Sequence, residues 1–120
     1  MVRVLYIMGS GRSGSTFLDA VLGNHPEIEG VGELGYHTRS GWGQALYCAC
    51  GAPGNACTFW SDVRDEWTKR AGPDCVQEYA TLQNMFERFR RWPRLFRERR
   101  KQSARFGAYA NRTTTLFEAI

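Results

Sequence analysis

The sequence predicts an α/β fold built on a parallel sheet, and the prediction rests on three features of residues 2–24. Residues 4–8 form a short, continuous apolar run, as in a strand that is buried on both faces. A glycine-rich loop, residues 9–14, follows this run directly. The next apolar residues recur at the spacing of one helical face: Phe17, Leu18, Val21 and Leu22. The order strand, glycine loop, helix is typical of anion-binding sites, because backbone N–H groups and the helix N-terminus converge on the ligand.

The segment after the first helix predicts turns and one more short strand. Gly23 and Asn24, followed by Pro26, indicate the end of the helix. Residues 27–31 are compatible with a second strand, and glycines on both sides of Glu33 indicate a loop that can approach a ligand closely. Residues 36–58 are rich in glycine without periodicity, which predicts a long irregular connection.

Helical periodicity returns in the second half of the chain. One helix is predicted around residues 59–67, ending at Ala71, Gly72 and Pro73, and Asp74 is a candidate N-cap for the next. A single apolar stripe is then predicted, with Pro93 kinking or ending its helix. The stripe comprises Leu82, Met85, Phe86, Phe89 and Trp92. Residues 108–120 end the chain inside a helical pattern, so we expect residues 1–120 to be the N-terminal portion of a single larger domain.

The glycine loop differs from the nucleotide phosphate loop, G-x-x-x-x-G-K-[ST], at one informative position. Gly9, Gly14 and Thr16 fit this pattern, but Ser15 occupies the position of the lysine that contacts the β- and γ-phosphates. A cation is present instead at Arg12. The exchange disfavours a kinase-like nucleotide-binding protein, which remains the alternative. It favours a ligand of lower charge density that needs no Mg²⁺.

The loop and three later segments together resemble one enzyme family. The sequence GSGRSGSTFLDAVLGNHPEI is followed by VGEL and then by CACGAPGNACTFWSDV, at residues 9–28, 31–34 and 48–63. In this order the segments resemble the bacterial sulfotransferases that use 3′-phosphoadenosine 5′-phosphosulfate (PAPS). The resemblance extends from residue 4 to about residue 63.

This resemblance implies a fold, a reaction and a set of contacts. The fold would be a P-loop NTPase-like three-layer architecture. The reaction would transfer a sulfuryl group from PAPS to the hydroxyl or amine of a small-molecule, carbohydrate or lipid acceptor. The residues that would bind the cosubstrate are Gly11, Arg12, Ser13, Gly14, Ser15 and Thr16.

Two of the matched residues are candidates for catalysis. Arg12 would stabilise charge that develops on the leaving phosphate; the alternative is a surface cation beside a turn. Glu33 would remove the acceptor proton, as the glutamate at the matching position does in the family. Because a freely solvated carboxylate is a weak base, this role requires burial. The alternative is an exposed carboxylate like Glu27 and Glu29.

Composition and charge indicate a globular chain and argue against a membrane-spanning one. With 42% apolar residues and a net charge of +4, the 120-residue chain has the composition of a globular protein that suits an anionic ligand. No apolar run approaches the ~20 residues of a membrane span, so we expect a cytoplasmic protein.

Residues 88–105 hold nine basic residues against one acid, Glu98. We interpret them as a solvated helix face and expect no nucleic acid partner, with a nucleic-acid or interaction module as the alternative.

Three of the four cysteines lie close together in sequence. Cys48, Cys50 and Cys57 have the spacing C-x-C-x₆-C, which lacks the C-x₂-C of common zinc sites, and neither His25 nor His37 lies at a matching interval. A tight turn with small thiols packed inside is therefore preferred to a metal site, and no metal is expected.

Overall fold

The structure is a computed structural model, and it describes residues 2–9, 11–42, 48 and 50–120. Ser10 of the predicted loop and six residues of the predicted irregular connection, 43–47 and 49, lie outside the described residues. The chain divides into two compact units, Met1–Leu34 and Gly35–Ile120.

The predicted α/β fold, with its P-loop NTPase-like layers around a parallel sheet, is wrong for the described residues. They form helices and no strand, and neither residues 4–8 nor residues 27–31 pair with a neighbouring segment. The side chains of the apolar run are exposed, with Tyr6 at 81% and Met8 at 86%, except that of Ile7, which is half-buried. The physical reason is that a strand exists only through a partner strand, and no described residue supplies one.

The helix predicted after the glycine loop is confirmed. Helix α1, Ser15–Leu22, follows Gly14 and stops at Gly23, whose backbone N–H donates to the Asp19 carbonyl over 2.8 Å. None of its residues is buried; even Phe17 is 75% exposed. Within its unit, α1 therefore presents both its first turn and its apolar face to solvent.

The second unit is a set of helices around an aromatic core. A short turn (α2, Leu34–Tyr36) leads into a π-helical segment, His37–Gly41. The longer helices are α3 (Thr58–Ala71), α4 (Cys75–Phe86), α5 (Trp92–Arg100) and α6 (Ala104–Ala119). Helices α3, α4 and α6 pack on one another around side chains that have no exposed surface, among them Trp67, Phe86 and Leu116.

The ends of these helices follow the local signals in the sequence. As predicted, α3 stops before Gly72, whose φ of 93° is open to glycine and costly for other residues, and α4 begins after Asp74. Ser103 caps α6, because its hydroxyl accepts a 3.2 Å hydrogen bond from the Phe106 backbone N–H. Helix α6 continues to Ala119, so the helical pattern predicted at the end of the chain is confirmed.

The prediction of one continuous apolar stripe is wrong beyond Phe86. Helix α4 ends there, and a 3₁₀ turn, Phe89–Arg91, separates it from α5. Pro93 lies in the first turn of α5 and so begins a helix instead of ending one, which is the position where its missing N–H costs nothing. Trp92 is 47% exposed and lies outside the core.

The basic residues of this region lie on the surface, as the interpretation of a solvated face expects. Eight of the nine are exposed and Arg94 is half-buried. Among the described helices, none combines the length and the apolar character that a bilayer crossing requires.

Candidate functional site

The glycine loop adopts a backbone that suits an anion. Arg12 has a φ of 65°, and Gly14 has φ 82° and ψ 8°, so two nearby residues lie in the left-handed region. Alternation of left-handed and right-handed residues turns successive N–H groups toward a common concavity, which is a recurrent anion-binding arrangement. Arg12 is a non-glycine residue with a positive φ, and this conformation carries an energetic cost for any residue with a side chain.

The N–H groups at the start of α1 lack partners in the described part of the chain. The first intrahelical bond runs from the Leu18 N–H to the Gly14 carbonyl over 3.0 Å, and no side chain caps the helix. The preceding N–H groups, those of Ser15, Thr16 and Phe17, point along the axis toward the loop. No acidic residue lies in the first turn, so the positive end of the helix dipole is not neutralised.

Two glycines of the loop differ in what surrounds them. A side chain on Gly9 would collide with the hydroxyl of Ser13, which folds back across the Gly9 backbone. Gly11 has nothing within 4 Å of the position that a Cβ would occupy. The loop is therefore closed on one side by Ser13 and open to solvent at Gly11.

The structure places the candidate base Glu33 in the same unit as the loop but leaves it exposed. The segment before it packs on the second half of α1, because a Cβ on Gly30 would lie 3.3 Å from the Asp19 carbonyl oxygen and 3.4 Å from Gly23 Cα. No contact of Glu33 with Arg12 is present among the described residues. The burial that its role as a base requires is not supplied by this unit.

The carboxylate of Asp19, a residue that no sequence pattern marked as a candidate, faces the segment of residues 30–32. Its Oδ2 would lie 3.5 Å from a Cβ on Gly30 and 4.0 Å from one on Gly32. The glycine spacing of residues 30–35 is the signal for such a close approach, but it does not say which side chain is approached.

The three clustered cysteines come together in space. The sulfur atoms of Cys48, Cys50 and Cys57 all lie within 4.8 Å of one another, and the Cys50 and Cys57 Sγ atoms are 3.6 Å apart. Cys50 is exposed while Cys57 is buried. The expected turn is present, but its thiols are not all packed inside. Cys75 is separate and buried, with its sulfur 4.0 Å from the Thr68 hydroxyl.

The thiols of this cluster differ in acidity. The backbone N–H of Ala52, together with the neighbouring thiols, lowers the pKa of Cys50 below its usual value. The Trp60 backbone N–H favours the Cys57 thiolate, but burial and the adjacent sulfurs outweigh it and raise the pKa of Cys57. Cys50 is therefore the most readily ionised member of this pair.

An aromatic group that the sequence analysis did not predict lies at the start of α3. The His37 ring stacks on Trp60 with centroids 4.0 Å apart and meets Trp42 edge-on at 5.2 Å. Burial lowers the pKa of His37, and its Nε2 is buried without a hydrogen-bond partner in the described part of the chain. The imidazole is thus held neutral as a packing group.

Comparisons of the chain with protein families, with curated proteins and with solved structures found no match.

Proposed function

We propose that the glycine loop and the first turn of α1 bind the 5′-phosphosulfate end of PAPS, and that the protein takes part in sulfuryl transfer to an acceptor hydroxyl or amine. The observation that supports the proposal best is the exposed first turn of α1. Its N–H groups have no partners among the described residues, and the left-handed Gly14 lies directly before them. A helix start of this kind stabilises a phosphate or sulfate group without any cation.

The side chains of the loop suit the charge distribution of sulfuryl transfer. The transferred SO₃ group carries little net charge, whereas negative charge builds on the phosphate oxygen that it leaves. Backbone N–H groups and the hydroxyls of Ser13 and Thr16 would hold the phosphate. The planar guanidinium of Arg12 would donate to two oxygens of the leaving group as their charge grows.

The same loop fits a Mg²⁺-nucleoside triphosphate less well. Ser15 occupies the position of the phosphate-loop lysine and is only half-buried, so it supplies no positive charge near a γ-phosphate. The kinase-like alternative would have to obtain that charge elsewhere. The proposal therefore includes catalysis at the loop without Mg²⁺.

Glu33 is the proposed acceptor base, and the acceptor itself would complete its surroundings. The carboxylate is exposed in its own unit, so desolvation has to come from the bound acceptor. A small molecule, a carbohydrate or a lipid headgroup with a free hydroxyl or amine has the required chemistry.

Amide-resolved NMR titration tests the binding step directly. The ¹⁵N-labelled chain is titrated with adenosine 3′,5′-bisphosphate, with ADP in the presence of Mg²⁺, and with inorganic sulfate. The proposal expects chemical-shift changes confined to residues 11–17 with the bisphosphate, at equal size with and without Mg²⁺. Arg12→Ala removes a proposed contact, so it should weaken those changes; the amides of α3 serve as the internal control and should not change.

Two results would count against the proposal. Shift changes at the loop that require ADP with Mg²⁺ would favour the nucleotide-binding alternative. No change at residues 11–17 with any of the three anions, under conditions where the amides of α1 are visible, would remove the loop as an anion site.

A further inference from the structure

The cysteine cluster of Cys48, Cys50 and Cys57 is built by two hydrogen-bonded pieces of backbone. The first is a turn in which the Gly51 N–H donates to the Cys48 carbonyl over 2.9 Å and the Cys48 N–H donates to Ala52 over 2.8 Å. Gly51 has a φ of 84°, a value that favours glycine, and this conformation lets the turn close. The second is the start of α3, where Cys57 is the N-cap residue.

The distances within the cluster match those of a metal–thiolate centre. Zinc bonds to sulfur at about 2.3 Å in a tetrahedral arrangement, which sets neighbouring sulfur atoms roughly 3.8 Å apart. Cys50 and Cys57 are separated by 3.6 Å, and no pair in the cluster exceeds 4.8 Å. The three sulfur atoms therefore lie close enough together for one ion to contact all of them after small shifts.

The exposure of the cluster suits neither apolar packing nor a disulfide. Cysteine placed for packing behaves as a small apolar side chain, but Cys50 is exposed and Cys48 is half-buried. A disulfide would join two of the sulfur atoms, but it would not explain why the third lies beside them. A metal ion uses all three.

The start of α3 favours negative charge at Cys57 and so opposes the effect of burial and of the adjacent sulfurs, which raise the pKa of this thiol. Cys57 lies at the positive end of the 14-residue helix α3, which has no acidic residue in its first turn.

We propose that Cys48, Cys50 and Cys57 bind one Zn²⁺ as thiolates, each losing its proton to solvent, and that the fourth ligand is water or an added small molecule. No fourth metal-binding side chain joins the cluster among the described residues. The undescribed neighbours, residues 43–47 and 49, include no His, Cys, Asp or Glu. The ion would fasten the segment before α3 to the start of that helix, next to Trp60.

Metal analysis of the full chain tests the site. The protein is purified under reducing conditions, equilibrated with Zn²⁺, dialysed, and analysed for zinc per chain and for free thiols. We expect about one zinc per chain and protection of the cluster thiols. Co²⁺ added in place of zinc should give the thiolate charge-transfer absorption of a tetrahedral site.

Two variants separate the cluster from cysteine chemistry in general. Cys50→Ser changes an exposed residue, so its helical circular dichroism should match that of the parent. Its zinc affinity should fall by more than the roughly 10–100-fold that the loss of an outer contact costs. Cys75→Ala removes the thiol outside the cluster and should retain zinc in full.

Three results would overturn the assignment. The first is a parent protein that retains no more zinc than Cys50→Ser while its cluster thiols react freely. The second is zinc binding of equal strength in Cys50→Ser. The third is a Cys50–Cys57 disulfide that forms under reducing conditions and excludes the metal.

Discussion

The hydroxyl of Thr38 donates a 2.7 Å hydrogen bond to Oε1 of Gln83, and both side chains are buried, at 3% and 1% exposure. The bond joins the π-helical segment to α4 across 45 positions of sequence. On its other side, the Gln83 amide donates to both carboxylate oxygens of Glu87 over 3.1 Å. Glu87 in turn accepts a 2.9 Å bond from the Tyr109 hydroxyl of α6. One polar chain therefore connects three elements of the helical unit.

The first prediction concerns the buried end of this chain. Thr38→Val keeps the shape of the side chain but leaves Oε1 of Gln83 buried without this donor, so the free energy of unfolding should fall by about 1–3 kcal/mol. Urea denaturation followed by circular dichroism measures the change. Thr114→Val, at an exposed position of α6, is the control and should cost less than about 0.5 kcal/mol. Equal stability of the two variants would show that the buried bond contributes nothing.

A second prediction follows from Tyr79 and Tyr109, whose rings stack with centroids 5.9 Å apart. Burial raises the pKa of Tyr79 to about 12, and burial together with the nearby Glu87 carboxylate raises the pKa of Tyr109 well above its usual value. In the unfolded chain a tyrosine loses its proton near pH 10. Above that pH the folded chain binds more protons, so stability should fall as pH rises, by up to about 1.4 kcal/mol per pH unit for each tyrosine.

Unfolding free energies measured between pH 9 and pH 11.5 test this slope. The double variant Tyr79→Phe/Tyr109→Phe should lose stability at all pH values, because its hydrogen bonds to Thr113 and Glu87 are gone. Its alkaline slope should nevertheless be shallower than that of the parent. Identical slopes would show that other groups cause the alkaline loss.

Local signals account for what the sequence predicted correctly. Glycine after a periodic apolar segment located the ends of α1 and α3, at Gly23 and Gly72, because these signals involve neighbouring residues only. The strand at residues 4–8 was wrong because a continuous apolar run does not specify its partners. The bond between Thr38 and Gln83 could not be predicted for the same reason, since neither residue carries a pattern that names the other.

In the candidate site, too, the features that depend on neighbouring residues could be predicted, and those that depend on distant contacts could not. The proposed anion-binding loop depends on consecutive residues only, and the structure places the left-handed Gly14 directly before α1. The burial of Glu33 depends on what packs against it, and the sequence contains no signal for that. The spacing of the cysteines argued against a metal site, yet the turn at Gly51 brings Cys48 and Cys50 beside Cys57.

The third prediction concerns Arg12 in sulfuryl transfer. Arg12→Ala removes the cation while keeping a side chain that makes the same demand on the backbone at φ 65°. In a transfer assay of the protein with ³⁵S-labelled PAPS, kcat should fall by about 10²–10³-fold, the usual loss for one charge-stabilising donor. Arg64→Ala, on α3, is the matched control and should leave kcat unchanged. Activity of Arg12→Ala within a few-fold of the parent would remove Arg12 from the mechanism.

The last prediction separates two roles for Glu33. Glu33→Gln keeps the shape of the side chain and removes its basicity, so a base would be revealed by a fall in kcat of roughly 10²–10⁴-fold with little change in PAPS affinity. The exposed Glu27 lies on the same return from α1, and Glu27→Gln is the matched control, expected to leave both quantities unchanged. Because Glu33 is exposed in its own unit, the acceptor has to desolvate it, and the loss should therefore appear at saturating acceptor. Weaker PAPS binding with kcat intact would instead make Glu33 a contact of the cosubstrate, and the proton would then be removed by another group.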